Sequence, residues 1–110
     1  MLRFSNALLT FLIIVVSFTT VGCDTTAERE LRRAEAALDA ATDVSADAYA
    51  TDDFMAAEEL FQEAIELSED GRIQEARTAA IKSKLRAEDS ERKAKERLAT
   101  LNAEHDKLGR

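Results

Sequence analysis

Proline and tryptophan are absent from this chain, glycine occurs three times and cysteine once. Without proline no position forces a kink or a stop, and abundant Ala, Glu, Leu, Arg and Lys favour long helices. Three scattered glycines exclude a glycine-rich loop that cradles phosphate. A single cysteine excludes an internal disulfide. His105 is the one histidine, so a metal site there would lack a second imidazole. Aromatic residues make up 5% of the 110 residues, and a chain this short buries a modest fraction of its surface, so the core is thin. Cations fall short of acids, and the net charge of −7 argues against DNA, RNA or anionic lipid as the main partner.

What is present begins with an apolar leader. Arg3 supplies a positive start, and Ala7 to Phe18 form a 12-residue apolar run broken only by Thr10 and Ser17. Spanning a bilayer takes about 20 apolar residues, so this run suits a secretory signal peptide over residues 1–22. Directly behind it stands Thr20-Val21-Gly22-Cys23. This stretch resembles the lipobox of bacterial lipoproteins, departing from it at Thr20, where leucine is commonest. The resemblance implies cleavage before Cys23, a diacylglycerol on its thiol and acylation of the new amino group. Cys23 is thus the expected lipidation site, on a short tether of residues 23–26. The bland alternative is an uncleaved signal anchor with an idle thiol. Each buried CH₂ contributes about 0.8 kcal/mol, so one acyl chain anchors marginally and two or three hold. The expected location is the periplasmic face of a bacterial membrane. Asp24, by resemblance to enterobacterial lipoproteins, favours the inner membrane there, and the choice between inner and outer membranes stays open.

Residues 27–108 read as a single helical domain with helices at about 26–48, 52–68 and 72–108. Thr25 and Glu28 have capping-box spacing. In the first helix Leu31, Ala34, Leu38, Ala41 and Ala48 share a stripe, flanked by Ala37 and Val44. Thr51 is the expected N-cap of the second helix, and Asp52 and Asp53 place negative charge at its positive end. Phe54, Ala57, Leu60, Phe61, Ala64, Ile65 and Leu67 make the broadest apolar face, where the core is expected. Gly71 suits the left-handed residue that ends a helix. The third helix carries a seam of Ile73, Ala76, Ala80, Ser83, Ala87, Ser90 and Ala94, continued by Leu98, Leu101, His105 and Leu108. Glu91–Lys95 and Asp89–Lys93 are acid-before-base pairs four apart.

The fold class is therefore all-α, and two packings fit it. In the preferred one, a long antiparallel helical hairpin, the first two helices run nearly end to end with a bend near residues 50–53. That arm matches the third helix, about 55 Å at ~1.5 Å per residue, and sets Leu101 near Ala41 and Ala94 near Ala48. The alternative is a three-helix bundle whose long third helix overhangs, baring Leu98, Leu101 and Leu108.

Two further resemblances rest on these segments. Leu60 to Ser83, LFQEAIELSEDGRIQEARTAAIKS, resembles one tetratricopeptide-like helix pair, without the usual large aromatic and with Glu88 in place of the closing proline. The wider pattern, from Tyr49-Ala50-Thr51 through Gly71 to Ala94, is similar to a family of Ala-rich helical envelope lipoproteins, a domain of unknown function. These resemblances imply a fold and a place but no activity.

Candidate chemistry is sparse. His105 reads as a structural or incidental residue on the last stripe. Asp52-Asp53 read as helix-start charge, and Glu58-Glu59 as solvated face. The run Arg92 to Arg97 is interleaved with acids and reads as solvated helix. No catalytic, cofactor-binding or metal residues are expected, and no small-molecule substrate. The expected function is non-enzymatic: a lipid-anchored structural or interaction protein that associates with itself or an envelope partner. The alternative is a tetratricopeptide-like adaptor for a peptide or cell-wall component.

Overall fold

A computed structural model describes residues 26–109; the leader, Cys23 and Thr25 lie outside them. The described residues form α1 (Thr26–Asp43), α2 (Ala46–Tyr49), α3 (Thr51–Glu69) and α4 (Ile73–Leu108), with no strand among them. The chain is all-α.

Two breaks separate α1 from α3. Ser45 takes left-handed backbone at φ 57°, and its N–H donates to the Thr42 carbonyl at 2.9 Å. A residue with a Cβ gives up about 1–2 kcal/mol there. Ala50 then leaves helical geometry at φ −142° and ψ 48°. Its carbonyl accepts the Phe54 N–H at 3.0 Å, so Ala50 rather than Thr51 stands at the start of α3. Thr51 already lies inside the helix and donates its hydroxyl back to the Asp47 carbonyl at 2.9 Å, tying α2 to α3. Asp52 and Asp53 occupy the first turn of α3, as the charge pattern predicts.

The other reversal is the one expected at Gly71, whose φ is 76°. The Arg72 N–H reaches the Leu67 carbonyl at 2.9 Å, and the Gly71 N–H reaches that of Ser68 at 3.1 Å. Both bonds together make a Schellman end to α3.

Packing follows from three clusters. Leu31 of α1 sits against Ala64 of α3 and Ala79 and Ala80 of α4. Ala37, Ala57 and Ala87 meet one level further along. Ala41, Ala46, Phe54 and Ala94 close the far end. This order runs α1 alongside α4 and antiparallel to α3. Of the two packings the sequence permits, the chain adopts the three-helix bundle, with α3 and α4 as an antiparallel hairpin inside it. The end-to-end arm does not form, because Ser45 and Ala50 break the helix twice within six residues and let α1 fold back. Ala41 accordingly meets Ala94 rather than Leu101.

The seam read from the sequence is the spine of this bundle. Ala76, Ala80, Ser83, Ala87, Ser90 and Ala94 of α4 are all fully buried. Their alternating steps of four and three keep one stripe facing the trough between α1 and α3. Ala27, Ala34 and Ala41 of α1, seven residues apart, are likewise fully buried. Apart from Phe54, at 8% exposure, every buried described residue is alanine or serine. This relocates the core expected on the large side chains of α3: Leu60, Phe61, Ile65 and Leu67 are half-buried around an alanine centre. Ala48 is exposed, since the stripe of the first helix ends with α1. Beyond Ala94 the overhang of α4 runs on, Leu98 and Leu101 half-buried and Leu108 87% exposed.

Candidate interaction groove

The fold-back of α1 creates a concavity that a hairpin would lack. Between α1 and α3 lies a groove of about 750 Å³ to which α4 contributes no residue. Its floor is apolar: Leu38 and Phe61 are half-buried, and Met55 is 52% exposed. Its rim is acidic. Glu35 and Asp39 line it from α1, and Glu58, Glu59, Glu63 and Glu66 from α3.

The acidity has a compositional cause. Helix α3 carries seven carboxylates and no cation over its 19 residues. The period of the helix then distributes them. Asp53 turns toward α4, and Glu58, Glu59, Glu63 and Glu66 turn toward the groove or solvent. None of the six rim carboxylates is ion-paired with another described residue, whereas cations of α4 are engaged elsewhere: Arg92 with Glu96 at 3.0 Å, Lys84 with Glu88 at 3.4 Å, and Lys95 with Glu91.

Asp53 forms the one ion-paired cluster that crosses between helices among the described pairs. It accepts from Lys93 and, at 3.3 Å, from Arg86, and 15% of its side chain remains exposed. The hydrogen bond from Lys93 holds its carboxyl below the usual carboxylate range; partial burial opposes this, and the charge of Lys93 and the Arg86 contact reinforce it. Sequence spacing pairs Lys93 with Asp89; the structure pairs Lys93 with Asp53 across helices and Asp89 with Arg92 at 3.6 Å. The Glu91–Lys95 pair forms as the spacing predicts.

The remaining sequence candidates fall apart in space. His105 is exposed on the α4 overhang. Asp52 is exposed, and Glu58 and Glu59 lie on an exposed face, as expected, where they also line the groove rim. The buried hydroxyls are committed to structure: Ser83 donates to the Ala57 carbonyl across helices at 2.7 Å, and Ser90 to the Ala87 carbonyl of its own helix at 2.7 Å. Cys23 lies outside the described residues. Among those described, no three His, Cys, Asp or Glu side chains are grouped to hold a metal ion, and no helix is long and apolar enough to cross a membrane. What sequence reading missed was the set on α1, Glu35 and Asp39; only the fold-back brings them opposite α3. Comparison with known proteins finds no family, no curated protein and no solved structure that matches this chain.

Chemically, the groove offers carboxylate acceptors at its edge and a small adaptable apolar strip between them. Its lining residues are six carboxylates, one amide, Gln62, and the apolar side chains of Leu38, Met55 and Phe61. An open trough between two helices is the shape that receives another helix.

Proposed function

We propose that this chain is a lipid-anchored, non-enzymatic interaction protein of the bacterial cell envelope. In this reading Cys23 carries the acyl chains, residues 1–22 are removed as a signal peptide, and the helical domain stands at the periplasmic face of a membrane. The observation that carries the interaction role is the groove between α1 and α3, an apolar floor with an unpaired acidic rim. The anchor rests on a 12-residue apolar run ending before Thr20-Val21-Gly22-Cys23. The small-residue stripe of α4 supports a structural scaffold, because alanine and serine at the centre let the helices pack closely.

An adaptor that takes up a peptide or cell-wall component is the second reading, and the same groove favours it over plain self-association. The decisive experiment on the anchor is metabolic labelling with a fatty-acid analogue, followed by membrane fractionation of the native chain and the Cys23→Ser variant. The native chain takes up label and sediments with membranes; the variant does neither. An intact leader with a free thiol in the mass spectrum of the native protein would reject the anchor.

A further inference from the structure

We propose that the groove between α1 and α3 is the docking site of a cationic amphipathic helix, one with aliphatic side chains on one face flanked by lysine or arginine. The proposal rests on the interaction role given above and names the partner of that same groove.

Geometry comes first. Helices α1 and α3 are antiparallel neighbours, α4 fills the trough on one side of the pair, and the groove opens where no α4 residue lies. A further helix laid there packs on α1 and α3 from the side opposite α4 and converts three helices into a four-helix bundle. The floor suits such an occupant. Leu38 and Phe61 present apolar area at the bottom, and Met55, 52% exposed, has the unbranched side chain that adapts to varied aliphatic partners.

Charge decides which helix. The rim is negative on both walls, and none of its carboxylates is ion-paired with another described residue. Lysine or arginine flanking an apolar stripe would meet carboxylates on either side, gaining on-rate and orientation as well as contact. A second copy of the chain is a poor occupant, since the whole carries a net charge of −7. Its most available segment, the α4 overhang after Ala94, balances Lys95, Arg97 and Lys107 against Glu96, Glu104 and Asp106, so it brings no net attraction.

The test uses the full chain in nanodiscs of zwitterionic lipid, with empty nanodiscs as background. The probe is a fluorescent synthetic helix of leucine and lysine with its leucines on one face. Two controls accompany it: the same composition scrambled so that no face is apolar, and a leucine–glutamate helix of the same pattern. Anisotropy titration should show saturable binding of the first peptide alone, weakened by added salt. The combined variant Glu58→Gln, Glu59→Gln, Glu63→Gln should weaken binding roughly tenfold, the loss of about 1.4 kcal/mol, with helicity retained because all three residues are exposed. Met55→Gln, which removes apolar floor without adding charge, should weaken it independently of the acidic rim. Equal binding of the scrambled or acidic peptide, or indifference to both variants, overturns the proposal. So does a dimer in sedimentation that the groove variants dissolve, which would make a second copy the occupant. Failure of the anchor is read separately: a chain that binds the peptide but carries no acyl label loses the envelope reading and keeps the groove.

Discussion

Replacing Ala57 by leucine tests the alanine core most directly. Ala57 is fully buried where α1, α3 and α4 meet, against Ala37 and Ala87. Its carbonyl also receives the Ser83 hydroxyl at 2.7 Å. Three added carbons have no space beside those neighbours, so α1 or α4 must move outward, and the Ser83 bond stretches with it. Overpacking costs about 1–3 kcal/mol in a well-packed interior, and a site pressed from two sides belongs near the upper end. At roughly 4–8 °C per kcal/mol for a domain of this size, the melting temperature should fall about 10–20 °C. The comparison is Leu60→Ala. Leu60 is half-buried at the α3–α4 edge, so it forfeits only part of the 2–5 kcal/mol typical of a core leucine, about 1 kcal/mol. Thermal and urea unfolding of the Cys23→Ser chain, followed by far-UV circular dichroism, measure both. In most proteins deleting a leucine hurts more than enlarging an alanine. Here the order should invert, and a Leu60→Ala penalty larger than that of Ala57→Leu would refute an alanine-centred bundle.

Three other substitutions follow from the backbone and the charges. Ser45→Gly should stabilise the chain by about 1 kcal/mol, because Ser45 holds left-handed backbone that glycine adopts freely; a lower urea midpoint than the parent would show that the Ser45 side chain matters more than its backbone. Gly71→Ala should cost about 1 kcal/mol from its φ of 76° alone, as an added Cβ meets nothing within 4 Å; a loss well beyond 2 kcal/mol would mean a steric cost as well. For Asp53→Asn the pH dependence is the readout. The folded carboxyl titrates below its unfolded value of about 3.9. Its contribution is therefore fully present above that pH and is lost as pH falls through the lower folded value. Its two partners are half-exposed cations, so the loss at neutral pH should be about 1 kcal/mol or less. The variant should show a shallower decline in stability on the acid side of pH 4, and an unchanged acid limb would contradict the clamp.

The seam of α4 was legible because alternating steps of three and four are a property of the helix itself, and Ala76 to Ala94 keep them without interruption. Gly71 was legible for a similar local reason, since glycine at the end of a periodic run has one common conformational use. The fold-back of α1 was not. Serine gives little warning of left-handed backbone, and Ala50 none of its departure from helical geometry, so the first helix reads through to about residue 48 and the expected bend falls near residues 50–53. That single reversal decides what lies across from what. It puts Leu31 against Ala64 in place of an end-to-end neighbour, and it sets Glu35 and Asp39 opposite Glu58 and Glu59. The Asp53 clamp was hidden likewise. Its partners stand 33 and 40 residues away, and short-range spacing had offered Lys93 a nearer acid.

Alanine stripes have shallow relief, and this bears on how the helices keep their register. A leucine knob locks into one hole, but an alanine finds an equivalent hollow one heptad along, about 10.5 Å away. On α4 the sequence Ala80, Ala87, Ala94 presents that same hollow three times. Sterics alone would let α1 or α3 slide by a notch at little cost. The few side chains that break the repeat act as detents: the Ser83 hydroxyl on Ala57, the ring of Phe54 beside Ala94, and Asp53 gripping Lys93 and Arg86. All three gather toward the first half of α3, while toward the Gly71 end the half-buried Leu31 and Leu67, against Ala64, Ala79 and Ala80, take over the indexing.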